Sequence, residues 1–421
     1  MLSSASIYLA ANLLNAAIPF ALMPLLTRAL APAEYGTIAM FEAAIAFLSA
    51  LTGFSTHGAI GVRYFKNAPE SFSRYVGVCL QILFVSTVAM ALVIAAAGSL
   101  GLVVDNLSSS WILAALLVSL GQFIVNIRLV IWQSRDEARR YGSFQVSQTA
   151  LNGAVSIALV LGCGLGAPGR MGGIAIATLL AAAAALLSLE RGGLVSWRWS
   201  GEFARDALHY GLPLIPHALG VLAVAAADRF IVTSDLGVGA TGLYFAGVQL
   251  AAPMLLLGSS FNRAYVPWLF ARLARRENAE AVLVSYSAIA GLMLAGVAYA
   301  VLLHYLGPHV LGPRYQQAER VALILVVGTT FQAAYYAVVN YIFFEKRTAY
   351  LSATTFSAGI IYVATAFLVV PNFGLGGLAW LYAAVQAMTF ACVWLVSARV
   401  SPQPWLGLRE LREAQLKWSR R

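Results

Sequence analysis

Residues 348–398 contain no Asp, Glu, Lys or Arg, and Pro371-Asn372 lies near the middle of this run. A helix rises about 1.5 Å per residue and the hydrocarbon core is about 30 Å thick, so this stretch predicts two membrane crossings joined by a tight turn. Further charge-free runs occupy 1–27, 43–62, 75–104, 106–127, 141–169, 171–189, 207–227, 236–262, 281–313 and 321–344. With the final pair they give about twelve spans. The expected fold class is an all-α polytopic membrane protein with almost nothing outside the membrane.

Polar residues inside these spans recur at helical spacing, and a span facing only lipid has no use for them. Span one places Tyr8, Asn12, Asn15 and Pro19 on one face. Span two aligns Glu42, Ser49 and Gly53, with His57 nearby; span four aligns Ser119, Gln122, Asn126 and Gln133; span five aligns Gln145, Gln148, Asn152 and Ser156. His217 and Asp228 share a face of span seven, and span eight aligns Gln249, Pro253, Ser260 and Arg263, with Gln332 and Asn340 in span ten. Each amide alone is accounted for by hydrogen bonding between packed helices. Together the stripes predict a hydrated cavity lined mainly by spans one, two, seven and eight.

Glu42 sits eight residues past Glu34, roughly 12 Å into its span, where a carboxylate must be paired, hydrated or protonated. Asp228 and Arg229 are expected to end span seven as a loop-edge pair or a functional one, and Arg128 is expected to snorkel. Arg263 and His57 fall at equivalent positions of an internal repeat and suggest an anion site. Pro19, Pro24, Pro213, Pro216 and Pro253 mark expected breaks or bending points in the cavity wall.

The repeat itself rests on two offsets. A shift of about 206 residues lays Thr27, Leu30 and Gly36 on Thr233, Leu236 and Gly242, and a similar shift lays Gly172-Gly173-Ile174-Ala175 on Gly376-Gly377-Leu378-Ala379. Six spans return the chain to its starting side, so the halves are expected to be parallel repeats. The implied organisation is a six-helix lobe over 1–190, an interfacial linker over 191–208, a second lobe over 209–398 and a basic tail over 399–421. Trp197, Trp199 and Phe203 give the linker an interfacial character, and Trp405, Leu408, Leu411 and Trp418 do the same for the tail.

Composition changes the picture little: the 421 residues are 60% hydrophobic and 10% charged. The net charge of +10 is resolved by position. With the N-terminus in the cytoplasm, Arg63, Lys66, Arg74, Arg135, Arg139, Arg140, Arg191, Arg198, Arg205, Arg272, Arg275, Arg276, Lys346, Arg347 and the tail cations share the cytoplasmic side, leaving Arg28, Arg170, Arg314 and Arg320 opposite. That is the positive-inside pattern, with both termini cytoplasmic; it points to anionic membrane lipids and away from nucleic acid. Cys79, Cys163 and Cys392 lie in separate apolar runs, so neither a disulfide framework nor a metal site is expected. No P-loop, HExxH or nucleophile elbow occurs, and the glycines of 162–169 follow a span rather than a strand, so no cofactor is expected.

The segments LLTRALAPAEYGTIAMFEA (25–43), HYGLPLIPHALGVLAVAAADRFIV (209–232), GATGLYFAGVQLA (239–251) and LVVPNFGLGGLAW (368–380) resemble a known family. The whole chain is similar to the polysaccharide-transporter branch of the multidrug/oligosaccharidyl-lipid/polysaccharide exporter superfamily, the Wzx-like flippases. The resemblance implies a two-lobed, MATE-like, twelve-helix transporter of the bacterial inner membrane. It would move polyprenyl-diphosphate-linked oligosaccharide between leaflets by alternating access, with glycan-assembly proteins as candidate partners. The residues expected to contact substrate are then Arg263, His57, Arg28, Arg229, Asn12, Asn15, Gln249 and Asn152, and those expected to couple an ion are Glu42 and Asp228. Two other readings stay open: a drug or small-cation exporter using Glu42, Asp228, Tyr335 and Tyr336, and a membrane glycan polymerase or ligase.

Overall fold

The computed structural model describes residues 2–64, 69–100, 107–212, 214–345, 347–405 and 407. Thirteen α-helices follow in chain order among the described residues: α1 Leu2–Ala29, α2 Pro32–Leu51, α3 His57–Tyr64, α4 Pro69–Ser99, α5 Ser109–Ser134, α6 Ala138–Ile157, α7 Gly166–Arg191, α8 Gly201–Gly211, α9 Leu214–Leu236, α10 Val238–Ala274, α11 Asn278–Val310, α12 Gln316–Phe344 and α13 Thr348–Val400. Ten apolar stretches among the described residues are long enough to cross a membrane. One of them is α13, whose 53 residues are twice what a crossing needs. Its helical geometry breaks at Gly374 (φ 59°, ψ −154°), a conformation open to glycine and costly for other residues. The rings of Tyr362 and Tyr382, on opposite sides of that break, come within 6.3 Å, so the chain reverses there. Counting α13 as two crossings and adding α9, 23 residues long, accounts for the expected twelve.

The chain divides into two compact units, Met1–Phe230 and Ile231–Arg421. In the first, Tyr75, Val76, Cys79 and Leu83 of α4 pack with Phe123, Ile127 and Ile131 of α5, Ala185 and Leu189 of α7 and Ala207 of α8. The opposite face of α4 carries Val85, Val88 and Leu92, all at least 60% exposed and spaced along one side, as a lipid-facing stripe requires. In the second unit, Leu269 of α10, Val282 of α11, Val338 and Ile342 of α12 and Val393 of α13 form the core.

Several local expectations change. The second span stops at Leu51; Gly53, Phe54 and Ser55 all adopt positive φ, and His57 opens the separate helix α3. The turn is fixed by packing, since a Cβ on Gly53 would fall 2.3 Å from the Phe123 ring. His57 therefore does not continue the face of Glu42 and Ser49. Pro19, Pro24 and Pro253 lie inside α1 and α10 without interrupting them, so the expected breaks are absent there. Pro213 and the side chains of Pro216, His217 and Tyr8 lie outside the described residues. Asp228 and Arg229 do not end their span: α9 runs on to Leu236.

The linker is tied down along its length. Gln81 of α4 donates to the Trp197 carbonyl at 2.7 Å, Arg74 donates to those of Arg198 and Trp199, and Ser196 N donates to the Ser73 carbonyl at 3.0 Å. On α8, Asp206 accepts from Arg63 Nε at 3.0 Å and from the Tyr75 hydroxyl at 2.9 Å. In the tail, Trp405 is buried against Tyr341 at 4.8 Å and its carbonyl accepts from the Tyr286 hydroxyl at 2.6 Å, so it is a core residue rather than an interfacial one. Leu408, Leu411 and Trp418 lie outside the described residues.

Candidate functional site

Among the described residues of the first unit, a polar seam runs between α1, α6 and α7. Asn15 of α1 accepts a hydrogen bond from the Thr149 hydroxyl of α6. One turn along α6, Asn152 Oδ1 accepts from Arg170 Nη1 at 2.6 Å, and the same nitrogen reaches Ser156 Oγ at 2.7 Å. Arg170 crosses to α6 because α7 begins with small residues. A Cβ on Gly173 would fall 2.8 Å from the Ser156 Cα, so the two backbones touch there. Glu34 closes one end of the seam, accepting from Ala31 N at 2.8 Å at the start of α2 and from Ala167 N at 3.3 Å at the start of α7.

Arg170 is a site residue that charge counting treats only as a loop cation. A signal for it exists in the sequence: Asn152 and Ser156 share a face of α6, and Arg170 follows one short turn later, beside the glycine pair. No carboxylate pairs with it among the described residues, and its other guanidinium edge is not engaged by Asn152 or Ser156. A guanidinium steadied by neutral acceptors keeps donors for a planar or tetrahedral anion.

The other expected residues lie on several helices. Asn12 is half-buried on α1, and Arg28 is exposed at its end. Glu42 is half-buried on α2 and joins no ion pair among the described residues. The His57 ring meets Phe123 edge-on at 5.0 Å, and its Nδ1 is buried with no partner among the described residues. Burial pushes the His57 imidazole below its ordinary value, favouring the neutral ring. Asp228 is buried and its Oδ1 accepts from the Arg229 backbone N–H at 2.8 Å.

The second unit holds Gln249 and Arg263, both on α10. Arg263 is exposed in mid-helix, unlike His57 at the head of a short helix, so the two repeat mates have different local settings. Beside Arg263, Asn262 accepts from Asn340 Nδ2 of α12 at 2.8 Å. One turn further, the Tyr265 and Tyr341 hydroxyls meet Ser285 at 2.6 and 2.8 Å in a buried network joining α10, α11 and α12. Ser49 and Gln122, Thr52 and Ser119, and Tyr382 and Gln332 pair likewise between helices. Part of the polar striping thus satisfies itself within a unit.

At the linker, burial pushes the Asp206 carboxyl upward, but its bonds to Arg63 and Tyr75 outweigh that and hold it below the usual range. The same contact raises the Arg63 guanidinium. Arg128 departs from the expected snorkelling: it is 6% exposed, donates from Nε to Ser188 Oγ at 3.0 Å and lies 4.2 Å from the centre of the Trp132 ring.

A model of the family described as "Polysaccharide biosynthesis protein" matches residues 1–274. The chain belongs to that family. It is 25% identical over 377 residues to "Lsg locus putative protein 1" of Haemophilus influenzae, covering 85% of this chain and 88% of that one. An "Uncharacterized membrane protein" of the same organism is 25% identical over 377 residues, covering 86% and 89%. Among solved structures, an inward-facing MATE family multidrug resistance transporter of the MOP superfamily aligns with a TM-score of 0.66 at 15% identity, over 94% of this chain and 98% of that one. The lipid II flippase MurJ in an inward closed conformation aligns with a TM-score of 0.66 at 11% identity, over 99% and 92%. The fold is therefore MATE- and MurJ-like, and the chain is a multi-pass α-helical protein of the bacterial inner membrane.

Proposed function

We propose that this protein moves a polyprenyl-diphosphate-linked oligosaccharide, an O-antigen or exopolysaccharide repeat unit, from the cytoplasmic to the periplasmic leaflet by alternating access. The observation that carries the reading is the family match over 1–274, joined to a flippase-like fold that keeps amides and guanidinium groups at membrane depth. In this reading both termini are cytoplasmic, 1–190 and 209–398 are the moving lobes, and 191–208 is their connection. The protein acts without covalent catalysis.

Arg263 and Arg170 meet the substrate's anionic groups, with His57, Arg28 and Arg229 as further donors. Asn12, Asn15, Asn152 and Gln249 exchange hydrogen bonds with sugar hydroxyls. Charge-assisted contacts are the strong ones available for a diphosphate. Glu42 and Asp228 are the carboxylates that would take up a cation or proton as the lobes exchange. A strain lacking its glycan flippase should regain surface glycan when this gene is supplied. Arg263→Ala, present at normal level, should not restore it; full restoration removes Arg263 from the site. A second reading, export of drugs or small cations, draws on the likeness to a multidrug transporter and on Tyr335 and Tyr336, whose rings lie 5.8 Å apart. Drug resistance conferred without any glycan phenotype would favour it.

A further inference from the structure

Where α5 meets α6 lies a cavity of about 410 Å³, lined by Trp132, Arg140, Ser143, Phe144 and Ser147. It sits beside Arg135 and Arg139, on the face that the charge distribution places in the cytoplasm. The cavity has an aromatic wall, Trp132 and Phe144 with centroids 5.3 Å apart, and a polar mouth of one guanidinium and two hydroxyls. Arg128 stacks on the same indole and is buried with no carboxylate partner among the described residues. Both Arg128 Nη1 and Trp132 Nε1 are buried donors without an acceptor among the described residues.

We propose that this cavity holds the headgroup of an anionic phospholipid of the cytoplasmic leaflet. Phosphate oxygens would be met by Arg140, Ser143 and Ser147, the glycerol and first methylenes would lie on the Trp132 and Phe144 rings, and Arg128 would add positive charge beside the indole. Basic, aromatic-rimmed pockets between membrane helices at the cytoplasmic interface suit this chemistry. A sealed apolar contact would need neither the buried guanidinium nor the serines. One carboxylate competes: Glu137 accepts from Arg140 Nη1 at 2.6 Å and lies 4.0 Å from Arg135. A bound phosphate must share Arg140 with it. This site is independent of what the protein transports.

Reconstitution of the full chain in nanodiscs of phosphatidylcholine doped with phosphatidylglycerol tests the assignment, with thermal midpoint and lipids retained in native mass spectrometry as readouts. Phosphatidylglycerol should raise the midpoint in a saturable way. The doubly substituted Arg140→Gln/Ser147→Ala protein should need about fivefold more of that lipid, the loss set by one interfacial cation. Glu137→Gln should need less, and Glu202→Gln, an exposed acid on α8, should leave the titration unchanged. An unchanged titration in the double variant overturns the proposal. Equal effects of Glu137→Gln and Glu202→Gln reduce it to general charge and also overturn it. With polyprenyl diphosphate added to the same discs as a competitor, its preferential retention over phosphatidylglycerol would reassign the cavity to substrate and overturn the proposal.

Discussion

Replacing Gly173 by Ala adds one methyl group where two transmembrane helices touch. The new Cβ would lie 2.4 Å from Ser156 Oγ, 2.8 Å from its Cα and 2.9 Å from its N. The hydroxyl can swing away only by leaving Arg170, and the backbone atoms cannot yield without separating α6 from α7. Overpacking of this kind costs about 1–3 kcal/mol. The neighbouring Gly172 is the internal control, because a Cβ there meets only Leu159 Cδ1 at an ordinary 3.7 Å. Gly172→Ala should stay within about 0.5 kcal/mol of the parent. The repeat provides a second pair: a Cβ on Gly377 would sit 2.3 Å from Phe373 Cβ, whereas one on Gly376 meets nothing within 4 Å. Thermal unfolding of the four variants, followed by tryptophan fluorescence in one detergent, should give two near-parental midpoints and two lowered ones. Gly173→Ala should also lose glycan export alongside Arg170→Ala, since both undo the Asn152–Arg170–Ser156 contact. If Gly173→Ala proves as stable and active as Gly172→Ala, the close approach of α6 and α7 is wrong, and the Arg170 site with it.

Further outcomes are expected elsewhere. Asp206→Asn should loosen α8 from α3 and α4, by about 0.2–1 kcal/mol for a partly exposed ion pair, seen as faster amide exchange over residues 201–211. Because the Asp206 carboxyl is held below its ordinary value, its contribution is complete above about pH 4 and fades as pH falls through the lowered value. The variant should flatten that acid limb. His57 shows its effect at higher pH: burial lowers its value, so the neutral ring's contribution is complete above about pH 6.5 and declines as pH falls below it, and His57→Phe should remove that slope. Ser285→Ala should cost about 1–3 kcal/mol, because it strips a partner from the buried Tyr265 and Tyr341 hydroxyls; an unchanged melting midpoint would contradict the network.

The crossings were legible because charge is so costly in hydrocarbon that a run free of it from 348 to 398 belongs in a bilayer. The hairpin in that run followed from length alone, although the break falls at Gly374 rather than at Pro371. The glycine pairs were legible as a repeat, and the contacts give them a reason: the second glycine of each pair is packed and the first is open. Arg128 was misplaced, and the contacts of Arg170 went unread, because spacing on a helix says which face a side chain occupies but not what stands opposite. Ser188, Trp132, Asn152 and Ser156 supply the partners that draw these guanidinium groups inward. The prolines do not break their helices: α1 continues through Pro19 and Pro24 and α10 through Pro253, as helices at membrane depth can.

Transport of a lipid-linked glycan is tested most directly in vesicles. The purified protein would be reconstituted into liposomes carrying a fluorescent polyprenyl-diphosphate oligosaccharide in both leaflets, and a membrane-impermeant glycosidase added outside. The account predicts digestion of nearly all the glycan with the parent protein and about half with Arg263→Ala, Arg170→Ala or protein-free vesicles. Digestion that stops at half with an active, folded parent, in vesicles that do accumulate an organic cation, would contradict it.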